Sequence, residues 1–116
     1  MRILLIGSHP KGFNEPFHPN TRSGKILRSI LDENSSSYIF FDLWEDEKDQ
    51  LSGKVSKDTL ASLHAYLQND FQLIALGRIV EKALTKHEIT HRYLPHPASR
   101  RKSDQELLKV ALKKLS

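Results

Sequence analysis

The sequence predicts an α/β fold in which helices cover both faces of a four-stranded, mostly parallel sheet. Two short apolar runs that each end in glycine, RILLIG at 2–7 and FQLIALG at 71–77, read as strands buried on both sides. Segments with strand character alternate with segments of helical period along the whole chain, and that alternation gives a parallel sheet.

The first strand spans 2–7. Asn20 or Thr21 then caps a helix running to about residue 31, with Ile26, Leu27, Ile30 and Leu31 on one face and Gly24 inside it. Residues 38–44, YIFFDLW, are β-branched and aromatic, and form the second strand. The polar stretch 45–56 reads as a loop, and the next helix passes through Leu60, Leu63, Ala65 and Leu67. The third strand covers 71–77, a short helix 78–86, and ITHRYL at 89–94 alternates as the fourth strand. Ser103 with Glu106 makes a capping box for the last helix, which carries Leu107, Leu108, Val110, Ala111 and Leu115.

Composition bounds the rest. The 116 residues make one domain, 38% of them hydrophobic and 28% charged. No apolar run approaches the roughly 20 residues of a membrane span, and the N-terminal apolar stretch is too short for a signal peptide, so a cytoplasmic location is expected. The absence of cysteine excludes disulfides, iron–sulfur clusters and thiolate zinc sites. His87, His91 and His96 match no ligand spacing, so no metal is expected. The net charge of +4 is unevenly spread. EDEKD at 45–49 is acidic and is expected to face away from the basic end, where Arg100, Arg101 and Lys102 are consecutive.

Two loops are unusual. A strand-to-helix connection usually needs about 2–6 residues, yet residues 8–20 hold three prolines, two histidines and Phe17 before a helix begins. The second is LPHPASRRK at 94–102. Both follow strands, so both lie at the carboxyl edge of the sheet, where ligands bind in such folds. Asp42 and Trp44, at the end of the second strand, read as structural, with a place in the cleft as the alternative.

The motif GSHPKG at 7–12, then FHPNTRSGK at 17–25, resembles the first motif of the uracil-DNA glycosylase superfamily, most closely its mismatch-specific branch. LPHPASRR is similar to that superfamily's last motif, as found in the single-strand-selective branch. The resemblance spans nearly the whole chain, with the motifs in order at the ends of matching strands. It implies a minimal three-layer α/β/α glycosylase fold. It also implies hydrolysis of the N-glycosidic bond of uracil or a related modified pyrimidine in DNA, as in base excision repair, by a monomer that flips the base and needs no cofactor.

By the resemblance, Phe17 stacks the base and His96 stabilises the departing anion, an oxyanion-hole role for a neutral imidazole. Arg100 takes the position of the wedge that fills the gap left by the base. Ser99, Arg101 and Lys102 then contact DNA, the two cations at phosphates. Gly7, Ser8 and Asn20 are the remaining base-binding positions. His9 stands where the named branches carry Asp or Asn to position water, and Asn14 or Glu15 in the same loop can substitute for it. This departure allows two outcomes, an altered glycosylase or a non-catalytic protein that binds DNA or a nucleobase. A third possibility is a small α/β phosphate-ligand protein that shares only the loop chemistry.

Overall fold

A computed structural model describes residues 2–9, 17–31 and 37–115. Four strands, β1 (Arg2–Gly7), β2 (Ser37–Asp42), β3 (Phe71–Leu76) and β4 (Arg92–Leu94), form one sheet in the order β2-β1-β3-β4, and every pairing is parallel. The central strand β1 holds Ile3, Leu4, Leu5 and Ile6 at 2% exposure or less. Its lack of apolar/polar alternation reflects helices on both sides, and each buried side chain contributes ~1.5–3 kcal/mol.

Ile3 and Leu5 point to one face and pack with Leu27, Ile30 and Leu31 of α1 (Arg22–Leu31) and Leu108, Ala111 and Leu112 of α5 (Lys102–Leu115). Leu4 and Ile6 point to the other, against Leu63 of α3 (Lys57–Gln68) and Val80, Ala83 and Leu84 of α4 (Arg78–Lys86). Helices thus cover both faces, an arrangement consistent with three α/β/α layers.

Several expected boundaries move. The stretch 45–56 is not all loop, since α2 (Glu47–Ser52) forms within it. Asp46 caps it by accepting from the Asp49 N–H at 2.9 Å, and Gly53 ends it in the left-handed conformation at φ 72°. The helix buries nothing, so it has no apolar period to betray it. Strand β2 stops at Asp42; Leu43 and Trp44 turn off it, although their N–H groups still donate to the Gly7 and Ser8 carbonyls. Strand β4 is three residues long and pairs with Ile74–Leu76 of β3, and Ile89 is instead buried in the preceding loop.

Thr21, not Asn20, caps α1: its hydroxyl accepts from the Gly24 N–H at 3.0 Å and donates to the His18 carbonyl at 2.7 Å. Helix α5 begins at Lys102, so Ser103 lies inside the first turn and does not cap it. The turn is closed by Ser99, whose hydroxyl donates to Asp104 Oδ2 at 2.7 Å. Leu107 and Val110 are 52% and 47% exposed, since the sheet meets the 108, 111 and 112 positions of the helix instead. Among the described residues no helix is long and apolar enough to cross a membrane.

Candidate functional site

The described residues of both unusual loops meet at the carboxyl edge of the sheet. Gly7, Ser8 and His9 from the end of β1, Phe17, Thr21 and Ser23 from the start of α1, Asp42 from the end of β2 and His96 after β4 line one cavity of about 20 Å³. That is room for a single water molecule. Beside it lies a hollow of about 310 Å³ that shares Ser8, His9 and His96 and continues over Gly77, Arg78 and Gln50. Gln50 belongs to α2, so the helix of the acidic stretch adjoins this edge, nearer the site than its charge suggested.

Phe17 is held tightly. It is 8% exposed, its backbone is left-handed at φ 49°, and its ring meets Phe40 at a centroid distance of 5.3 Å. The Arg28 Nε–H donates to its carbonyl at 3.0 Å, and the Arg28 guanidinium lies over the Phe40 ring at 5.0 Å. The ring rests on Gly7: a Cβ there would fall 2.6 Å from Phe17 Cζ and 3.1 Å from Asp42 Oδ1. Phe17 is therefore a core residue on one side and a cavity wall on the other.

The His96 loop is fastened by two helices. Gln105 of α5 donates through Nε2 to the Pro97 carbonyl at 2.8 Å and to the Ser99 carbonyl at 2.6 Å, and Arg22 of α1 donates to the Ala98 carbonyl at 3.4 Å. The Ala98 N–H donates to His96 Nδ1 at 3.0 Å. An acceptor Nδ1 leaves Nε2 as the protonated nitrogen of the neutral ring, which makes that atom the hydrogen-bond donor.

The structure thus brings together Gly7, Ser8, His9, Phe17 and His96. Asn20 is exposed and outside the cavity lining; its N–H donates to His18 Nδ1 at 3.1 Å. Asn14 and Glu15 lie outside the described residues. Arg100, Arg101 and Lys102 are exposed at the mouth of α5, while Ser99 is half-buried and tied to Asp104. His91 is taken up elsewhere, 3.5 Å from Glu81 on α4.

Asp42 is the residue the sequence undervalued. It pairs in register with Gly7 across the β1–β2 ladder, so its carboxyl group enters the cavity beside the Phe17 ring. Burial raises its pKa from 3.8 to about 6. Ser23, 4% exposed, faces the same space, and its hydroxyl has no hydrogen-bond partner among the described residues. A strand-end acid opposite a strand-end glycine was the available signal, visible only once the register is known.

Because the folded protein holds the Asp42 proton more tightly than the unfolded chain, its contribution to stability is fully present below pH 3.8 and lost as pH rises through about 6. Asp42→Asn is expected to stabilise the protein at pH 7.5 by ~2 kcal/mol, an effect that fades towards pH 4. Thermal melts of both proteins across that range check it, and a variant less stable at pH 7.5 would refute it.

Comparisons of the chain with protein-family models, with curated proteins and with solved structures find no match.

Proposed function

We propose that this protein is a DNA glycosylase of the uracil-DNA glycosylase superfamily that hydrolyses the N-glycosidic bond of uracil or a related modified pyrimidine. One observation carries the reading. An aromatic ring and a donor imidazole, from loops 79 residues apart in sequence (Phe17 and His96), line the same cavity at the carboxyl edge of a parallel sheet.

In this reading the flipped base stacks on Phe17. Water attacks C1′ of the deoxyribose, the C1′–N bond breaks, and its electron pair leaves with the base. His96 Nε2–H donates to the oxygen on which that negative charge gathers. His9, with Asn14, handles the attacking water and accepts its proton. Arg100 fills the gap in the duplex, and Arg101 and Lys102 hold the flanking phosphates, supported by the loop that Ser99 anchors. The cavity has room for one water, so a base is admitted only as the Phe17 segment and the His96 loop separate, a movement opposed by the hydrogen bonds that Arg22 and Gln105 make to the loop and Arg28 to the Phe17 carbonyl.

The test is incubation with a uracil-containing oligonucleotide followed by alkali. Strand breaks at uracil are expected. If two or three cations touch phosphate, affinity should also fall by ~10–40-fold between 50 and 200 mM salt. A second reading, a non-catalytic binder of DNA or a nucleobase, is favoured by His9 at the position of Asp or Asn in the branches it resembles. It predicts salt-sensitive binding without breaks, and breaks only after His9→Asn. Absence of DNA binding at low salt would overturn both.

A further inference from the structure

We propose that Gln105, on helix α5 and outside the cavity lining, is a positioning residue for His96: it fixes which ring nitrogen is the donor by gripping the peptide unit that joins Pro97 to Ala98. The inference rests on the base-site reading above and adds to it a residue that acts through the imidazole, not on the base.

The connection runs through one rigid group. The Pro97 carbonyl and the Ala98 N–H belong to the same peptide unit, which is planar and points them in opposite directions. The N–H end donates to His96 Nδ1 at 3.0 Å, and the carbonyl end accepts from Gln105 Nε2 at 2.8 Å. Gln105 Nε2 also donates to the Ser99 carbonyl at 2.6 Å. Both neighbours are carbonyl oxygens, so the amide nitrogen faces them and both of its hydrogens are used. Gln105 therefore clamps the turn on either side of Ala98. Other bonds hold the turn at different points: the Ser99 N–H donates to the His96 carbonyl at 3.0 Å, Arg22 to the Ala98 carbonyl at 3.4 Å, and the Ser99 hydroxyl to Asp104 at 2.7 Å. These three leave the 97–98 peptide unit to Gln105.

The orientation of that unit decides what the ring can do. With the Ala98 N–H on Nδ1, the neutral imidazole keeps its proton on Nε2, the nitrogen that donates to the departing anion. Turned over, the unit would present its carbonyl to the ring. Nδ1 would then hold the proton, and Nε2 would become an acceptor that repels an anion. A hydrogen bond at the carbonyl end also polarises the N–H at the other end and strengthens its bond to the ring. Gln105 thus does two things, locking the peptide unit in one orientation and sharpening the contact that selects the tautomer.

The experiment compares the wild type with Gln105→Met, which keeps the side chain's length without its N–H groups, and Gln105→Glu, which keeps its shape and sets acceptors against the two carbonyls. Nitrogen-15 NMR of the His96 ring, identified by its absence from His96→Ala, is recorded at a pH where the imidazole is neutral. The proton should sit on Nε2 in the wild type and be shared between Nε2 and Nδ1 in both variants. Single-turnover excision of uracil at saturating protein should fall by ~10-fold or more, the scale of a misplaced catalytic group, with oligonucleotide affinity within about twofold of the wild type. Melting curves establish that each variant is folded, and a contact that is merely structural would lower the melting temperature without moving the proton. A proton that stays on Nε2 in both folded variants overturns the proposal, as does a wild-type ring protonated on Nδ1 or wild-type excision by both variants. In those cases the base-site reading survives. If the proton moves as expected but no protein, the wild type included, cleaves uracil DNA, the glycosylase reading falls and the coupling of Gln105 to the ring stands.

Discussion

Replacing Gly24 with alanine is expected to destabilise the protein by ~3 kcal/mol and lower its melting temperature by roughly 10 °C. Helix propensity argues the opposite way, since Gly24 sits within α1 and alanine is favoured over glycine in a helix by ~1 kcal/mol. Space decides the sign. A Cβ at Gly24 would collide with the carbonyl oxygen of His18 and come within 2.5 Å of the Phe17 carbonyl oxygen. Neither can yield cheaply. The His18 carbonyl accepts from the Thr21 N–H at 2.9 Å and from the Thr21 hydroxyl, and the Phe17 carbonyl accepts from Arg28. Relief requires breaking the cap of α1 or moving Phe17 off Gly7, and the second route also opens the cavity. Calorimetry of Gly24→Ala beside the wild type measures the effect. A variant as stable as the wild type would show that the Phe17 segment does not pack on α1 as described.

The second large effect concerns chemistry. On the glycosylase reading, His96→Ala should reduce single-turnover excision by ~10²–10³-fold, the loss typical of removing one donor to a developing anion. The melting temperature should change little, because the ring is half-buried and lies outside both hydrophobic clusters of the core. His96→Gln can still donate from an amide nitrogen and should recover part of the loss. Oligonucleotide affinity should be nearly unchanged in both, which separates stabilisation of the anion from binding of DNA. Rates within about threefold of the wild type for His96→Ala would remove the imidazole from the reaction.

The elements that could be read from sequence are those whose pattern is local. β1 and α4 fall where the apolar runs, glycines and helical period place them, with β3 one residue shorter than its run, because burial on two faces or one leaves its period in the chain. Helix α2 escaped because it buries nothing, and only its Asp46 and Gly53 caps mark it. The phase of α5 escaped for a different reason. Leu107, Leu108, Val110 and Ala111 offer two adjacent apolar stripes, and only the sheet selects the one containing Leu108, Ala111 and Leu112.

By itself, the amino-acid order determined that strands alternate with helices, that the sheet is parallel, and that two odd loops share its carboxyl edge. These follow from hydrophobic period and from the handed, short-range rules that connect neighbouring elements. Only the tertiary structure decided that Phe17 is both core and wall, that His96 Nε2 is the donor nitrogen, and that Asp42 enters the cavity opposite Gly7. Those facts depend on the register between strands distant in sequence and on the dielectric that burial creates, and neither is written in any single segment.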